Sequence, residues 1–302
     1  MVGLLIRALA LFVVGCSTVA AQTIGTLNPK PLPPLANPHS PDTPAKELFG
    51  RKPKPASLAA RSIGYYTNGC LAGGVMLPIN GETWQVMRLS RNRNWGHPNL
   101  IKFLERFAAK VPKIGWHGLL VGDMAQPRGG PMLTGHWSHQ VGLDADIWLT
   151  PMPDRELTRK EREEMMATNV VADDWKDVNP EIWSSKHVAL LKTAAQDREV
   201  ERVLINPAIK KALCRDVKTD RSWLHKMRPV LGHNYHFHVR IGCPAGQDGC
   251  KAQAAAPDEE GCGKELDAWF TDKALAPRPT GGRKPLPMSA LPAACKQVLL
   301  AD

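Results

Sequence analysis

Apolar residues recur at Leu100, Ile101, Leu104, Phe107 and Ala108, the spacing of one helical face, and His97-Pro98 stands where that run begins. Proline suits a first helical turn, so a helix is predicted from there. A second follows Ser184-Ser185, either of which can cap it, with Val188, Leu191 and Ala195 on its inner face. Asn206-Pro207 opens a short third one that carries Cys214. Trp116 to Asp123, Leu143 to Leu149, Val200 to Ile205 and Asn234 to Ile241 have the length and character of strands. Glu156 to Ala167 is dense in charge and is expected to be an exposed helix. The turn-rich stretch Ser62 to Gly74 is expected to lie over the surface. No internal repeat and no strand–helix–strand alternation is visible. The pattern predicts an α+β fold, a small, mostly antiparallel sheet flanked by helices.

Composition divides the chain. Residues 1–21 carry only Arg7 as a charge and read as an export signal. Val19-Ala20-Ala21 before Gln22 suits a signal peptidase. Val13-Val14-Gly15-Cys16 resembles a lipobox and offers lipid on Cys16 as the alternative. Residues 22–59 form a proline-rich lead-in whose composition is not expected to bury a core. Residues 273–302 form a second Pro-rich segment, tied back through Cys295, and the compact domain is expected at 60–272.

The formal net charge is +10 with a pI near 9.3, and the basic residues are scattered. That suits an anionic wall or membrane face without calling for nucleic acid, and no transmembrane segment is expected after signal removal. Seven cysteines are present; without Cys16 an even number remains, which in an exported chain favours disulfides with the connectivity open. No Cys-x-x-Cys pair occurs, so a zinc knuckle is excluded.

The chemistry concentrates in two places. In Gly135-His136-Trp137-Ser138-His139, the second histidine precedes Asp146 by seven residues; the other place is His233-Asn-Tyr-His236-Phe-His238. Strand side chains two apart share a face, so His236 and His238 project together, as do Asp144 and Asp146. His139, Asp146 and His238 can supply the three ligands of a catalytic zinc on the sheet face that keeps a position for water. His236 is then free to move protons, and His233 to stabilise an oxyanion. His136 is assigned to the same neighbourhood as a further ligand. Asp144 is expected to brace rather than bind, Trp137 and Trp148 to be core or pocket wall, and Cys214 to be disulfide-bonded. His39, His97, His117, His187 and His225 are isolated and read as structural or surface residues. Ser-x-x-Lys, Gly-x-Ser-x-Gly and His-Glu-x-x-His are all absent, so the corresponding serine and thermolysin-like mechanisms have no support.

Ser138-His139-Gln-Val-Gly-Leu-Asp-Ala-Asp146-Ile-Trp148, with His233, His236, His238 and the following Val-Arg-Ile-Gly-Cys-Pro, resembles the penicillin-insensitive murein endopeptidase family. That family lies in the zinc peptidase group shared with lysostaphin-type enzymes, D-Ala-D-Ala carboxypeptidases and hedgehog domains. Ser62-Ile-Gly, Asn68-Gly-Cys70, Gly122-Asp-Met124, Asn206-Pro-Ala-Ile-Lys210 and Gly261-Cys-Gly263 extend the likeness in the same order. The resemblance implies zinc on His139, Asp146 and His238, His236 as the base and His233 beside it. It implies peptidoglycan as the partner, cut in the periplasm between D-alanine and meso-diaminopimelate or between two diaminopimelates, without sensitivity to β-lactams. It also implies pairing Cys70 with Cys295, Cys214 with Cys262 and Cys243 with Cys250, hence three disulfides. A further metal contact is associated in the family with His136 and an acid–histidine pair. The corresponding stretch here, Ala172 to Asp177, has carboxylates and no histidine, which puts a second metal in doubt. A D-alanyl carboxypeptidase or dipeptidase on this scaffold, or a wall-binding protein with structural zinc, are the rival readings.

Overall fold

Alternation in His236-Phe237-His238-Val239-Arg240-Ile241 makes a strand with two unlike faces, and the computed structural model has a strand over those six residues. The structure describes residues 24–276 and 284–302, so the export signal and the lipobox lie outside the described residues.

The strands are β1 (Arg61–Tyr65), β2 (Asn68–Ala72), β3 (Val75–Met76), β4 (Asn80–Gly81), β5 (Trp84–Val86), β6 (Trp95–Gly96), β7 (Leu119–Val121), β8 (Asp144–Trp148), β9 (Val200–Ile205), β10 (Met227–Pro229) and β11 (His236–Ile241). The helices are α1 (Ala45–Phe49), α2 (Pro98–Ala108), α3 (Arg159–Glu164), α4 (Ser185–Ala195), α5 (Pro207–Asp216), α6 (Lys264–Asp267), α7 (Asp272–Leu275) and α8 (Ala294–Leu300). The main sheet runs β10-β9-β11-β8-β7-β5-β4, antiparallel except for the β10/β9 and β7/β5 pairs. The α+β class with a mostly antiparallel sheet holds.

Helix starts follow the expected chemistry. His97 caps α2 through Nδ1, which accepts from Asn99 N at 3.2 Å, and Asn206 caps α5 by accepting from Ala208 N. Ser184 forms a capping box with His187 at the start of α4. Ala145, Ile147, Phe237, Val239, Val203 and Ile205 join Leu100, Leu104, Phe107, Leu191 and Ile209 in one buried core. The alternate residues of β8 and β11 turn to the opposite face, which is also buried and carries the polar groups.

Three expectations need correction. Ser62 to Gly74 is no surface turn: β1 and β2 form an antiparallel hairpin whose Ile63, Cys70 and Leu71 are fully or almost fully buried. Glycine and asparagine dominate the local signal there, yet both faces of the hairpin are covered. The charged helix α3 is shorter than expected, and Arg162 and Glu163 are buried. Arg162 satisfies its guanidinium donors on the carbonyls of Leu157, Ile79 and Val86, with the Glu156 carboxylate 3.4 Å away.

The third concerns the lead-in, which does bury a core. Ala45, Leu48 and Phe49 of α1 pack with Leu291, Val298 and Leu299 around the hairpin, forming a second cluster. Burying each such side chain is worth about 1.5–3 kcal/mol, and the several in this cluster together offset the cost of ordering the segment. Cys70–Cys295 closes this cluster, and Cys214–Cys262 and Cys243–Cys250 complete the three disulfides that the resemblance implied. Among the described residues no helix is long and apolar enough to cross a membrane.

Candidate metal centre

Register decides the site. β8 and β11 pair antiparallel with His238 opposite Asp146, His236 opposite Trp148 and Arg240 opposite Asp144. The polar faces of two adjacent strands therefore meet as one patch. His238 Nε2 lies 2.8 Å from Asp146 Oδ1, and His236 Nε2 lies 3.8 Å from Asp146 Oδ2.

The loop before β8 adds His136 and His139. Gly142, at φ 70°, makes the turn between His139 and β8; a Cβ there would come within 2.9 Å of His97 N. His139 itself sits at φ 66° and His233 at φ 54°, a left-handed backbone unusual for these residues. Such positions cost about 1–3 kcal/mol and persist only where the surroundings fix them. Gln140 is a large part of that fixing: Oε1 accepts from Gly69 N, and Nε2 donates to Thr67 O and Trp137 O. The hairpin thus cradles the histidine loop.

Two overlapping donor groups result: His136, His139, Asp146 and His238, and then His233, His236 and His238, each within 4.8 Å. The structure brings together every residue the sequence assigned to the site. His139 Nδ1–H donates to Asp144 O at 3.1 Å, with Asp144 Oδ1 at 3.2 Å. That commits Nδ1, so in the neutral ring Nε2 carries a lone pair. It faces Asp146 Oδ1 at 3.2 Å, and His238 Nε2 lies 2.8 Å from the same oxygen. A ring nitrogen and a carboxylate oxygen at that distance share either a proton or a cation. The residues fit a divalent ion.

Electrostatics gives the proton-bound form of the cluster. Burial alone would lower the pKa of His139, but the Asp144 and Asp146 carboxylates outweigh it and raise the value well above normal. Burial would raise Asp146, yet His136, His238, His236 and His139 hold it well below the carboxylate range. His236 is pushed down to about 3, chiefly by burial, and both of its ring nitrogens are without partners. A cavity of ≈ 20 Å³, room for about one water, reaches Asp123, His136, Asp146, Tyr235 and His236.

Asp123 was given no role by sequence reasoning. It lies just past β7, nearly fully buried, with Oδ2 3.4 Å from His136 Nε2 and held by Arg91 and Arg93 at 3.0 and 2.8 Å. A carboxylate placed directly after a short apolar strand is the signal that could have pointed to it. Ser138 Oγ, 3.4 Å from His238 Nδ1, was missed as well. In the Ala172 to Asp177 stretch, Asp177 pairs with Arg215 at 2.7 Å and Asp174 accepts from Lys176 N. Neither joins a donor group with His136 among the described residues. His97, His187 and the half-exposed His117 stand apart from the cluster, His187 donating to Leu149 O.

A carboxylate ringed by imidazoles on the polar face of a mixed sheet, with a water-sized cavity at its side, has the build of a metal-dependent hydrolase centre. Residues 62–300 match the family described as penicillin-insensitive murein endopeptidase, and the chain belongs to that family. It is similar to the penicillin-insensitive murein endopeptidase of Haemophilus influenzae, 46% identical over 243 residues, covering 80% of this chain and 82% of that protein. The proteins of the same name from Klebsiella pneumoniae and Escherichia coli are 42% identical over 246 and 248 residues. Each comparison covers 82% of this chain and 88% of the relative.

Proposed function

We propose that this chain is a zinc-dependent murein endopeptidase of the periplasm. It opens peptidoglycan cross-links between D-alanine and meso-diaminopimelate, with the diaminopimelate–diaminopimelate link as a second bond type. The observation that carries the reading is the convergence of His136, His139, Asp146 and His238 donor atoms within 4.8 Å of one another, in a chain that matches the family over residues 62–300.

His139, Asp146 and His238 would hold the ion, which supplies a Lewis acid that activates water and polarises a carbonyl. His136 is placed to brace Asp146, with Nε2 3.2 Å from Oδ2. His236 has both ring nitrogens without hydrogen-bond partners, so one can take the proton of the attacking water and return it to the leaving amine. His233 donates Nδ1–H to Leu231 O at 3.0 Å, leaving Nε2 as an acceptor. It can therefore hold the attacking water, and can stabilise an oxyanion only after gaining a proton. No acylated side chain enters this scheme, so β-lactams have nothing to trap.

The test combines metal analysis with digestion of intact sacculi. His139→Ala and His238→Ala are expected to lose both zinc and activity. His236→Ala is expected to keep zinc while turnover falls about 10²–10⁴-fold. Loss of cross-linked dimers supports the endopeptidase, and shortened monomers alone would assign a carboxypeptidase instead. Full hydrolysis by His236→Ala would remove the proposed proton carrier.

A further inference from the structure

Amide hydrolysis passes through a tetrahedral carbon whose oxygen carries negative charge, and a preset donor at that oxygen is among the largest aids to the reaction. His233 presents Nε2 as an acceptor, because its Nδ1–H is engaged by Leu231 O. Besides its histidines, the water-sized cleft beside Asp146 has four side chains in its wall that carry N–H or O–H groups: Arg88, Arg91, Trp148 and Tyr235. Arg88 donates to Arg162 O and Met165 O, and Arg91 to Asp123 and Ile24 O. Trp148 turns its indole nitrogen to Gly122, where a Cβ would stand 3.0 Å from it. Tyr235 is different. Its main chain is fixed, since Tyr235 O accepts from Leu149 N at 2.9 Å, and its ring centre lies 4.6 Å from that of His236. No hydrogen bond ties its hydroxyl to the described residues, whereas Tyr66 donates to Ile241 O. A tyrosine hydroxyl among packed groups ordinarily finds a partner in the fold.

On the peptidase reading, which this inference rests on, the partner is the substrate. We propose that Tyr235 is a catalytic residue of the hydrolysis, its hydroxyl donating to the oxygen of the scissile carbonyl as that oxygen gains charge. Water attacks the carbonyl carbon while one of its protons passes to His236, and the carbonyl π pair moves onto oxygen, where the phenol holds it. When the C–N bond breaks, that pair re-forms the carbonyl and the leaving amine takes the proton from His236. The acid so formed releases its remaining proton to solvent. Tyr235 keeps its own proton throughout. A phenol ordinarily titrates near about 10, so it donates without the extra proton that His233 would need. Tyr235 is next in the chain to His236, so the strand pairing that fixes the base fixes the donor as well. A donor already in place costs no reorganisation when the charge appears.

The experiment uses zinc-loaded protein, a soluble cross-linked muropeptide dimer, and a phosphinate dimer in which a tetrahedral anion replaces the scissile amide. In Tyr235→Phe, kcat is expected to fall about 10²-fold with KM nearly unchanged, the scale of losing one oxyanion donor. Phosphinate affinity, measured by calorimetry, falls by a similar factor, while affinity for the peptide product stays as in the wild type. The pH profile keeps its shape, because the phenol hands over no proton. Calorimetry counts the binding-competent fraction, so the comparison of phosphinate with product survives any loss of folded protein. An unchanged kcat, a phosphinate affinity that does not fall or falls only in step with that of the product, or a lost limb of the pH profile overturns the assignment. Each of these leaves the endopeptidase standing. A wild type that cleaves no dimer overturns both.

Discussion

Asp144 is fully buried opposite Arg240 and belongs to neither donor group, yet it governs His139. Its backbone oxygen accepts from His139 Nδ1, its Oδ1 lies beside the same nitrogen, and Oδ2 accepts from Arg240 at 3.1 Å. A carboxylate behind a ligating imidazole fixes the tautomer and raises its basicity. Asp144→Asn is therefore expected to weaken metal affinity about 10–100-fold, measured by competition with a chelator. Burial alone would raise the pKa of Asp144, but His139 and Arg240 outweigh it and hold the value below the ordinary 3.8. A depressed acid contributes stability that is full above the unfolded value and fades as pH falls through and below it. The metal-free protein should thus lose melting temperature below about pH 4, and the Asn variant should show a shallower fall. Parallel pH profiles for the two proteins would remove Asp144 from that role.

The hairpin β1/β2 shows how one element serves the site without contributing a ligand. Ser62 Oγ donates to Val141 O, Gly69 N to Gln140 Oε1, and Tyr66 Oη to Ile241 O at 2.7 Å, so it grips both the histidine loop and the end of β11. Arg240 lies 4.1 Å above the Tyr66 ring. Burial, as the leading cause, pushes the Tyr66 hydroxyl well above its ordinary range, so it stays protonated and donates. Tyr66→Phe strands the Ile241 carbonyl and should cost about 1–3 kcal/mol in denaturant unfolding. A change below the error of the measurement would mean that water replaces the hydroxyl. The hairpin was also the element least legible in the sequence. β8, β9, β11, α2 and α5 announce themselves because alternation, helical spacing and caps are local signals. What the hairpin packs against is set by residues far along the chain, and Gly64 and Gly69 look like turn residues until both faces are covered. Arg162 misleads for the same reason, because the carbonyls that satisfy it are brought together only by the fold. The site was legible since strand periodicity alone puts His236 with His238 and Asp144 with Asp146. The left-handed backbone at His139 and the carboxylate of Asp123 depend on tertiary context.

At the scale of the whole molecule, two cores carry different duties. The larger packs α2, α4 and α5 on the apolar face of the sheet and so fixes β8 and β11, the strands that bear the cluster. The smaller joins α1 and α8 around the hairpin. Cys70–Cys295 spans 225 residues of sequence to close it, and Arg128 reinforces it by donating to Val298 O and Leu299 O. A cross-link over so long a loop contributes about 2–5 kcal/mol, mainly by restricting the unfolded chain. That stabilisation belongs to the smaller core, because the hairpin keeps its own bonds to Val141 and Gln140 whether or not α8 is docked. In the double variant Cys70→Ser/Cys295→Ser, α8 and α1 should open before the rest. Limited proteolysis should clip the chain near residues 284–302 while the remaining body keeps its capacity to bind an added divalent metal. Hydrogen exchange should place the amides of α8 among the least protected and those of β11 among the most. Loss of metal-binding capacity in step with the clipping, or one cooperative transition for both regions, would show that the histidine cluster needs the smaller core and that the division of duties drawn from the packing is wrong.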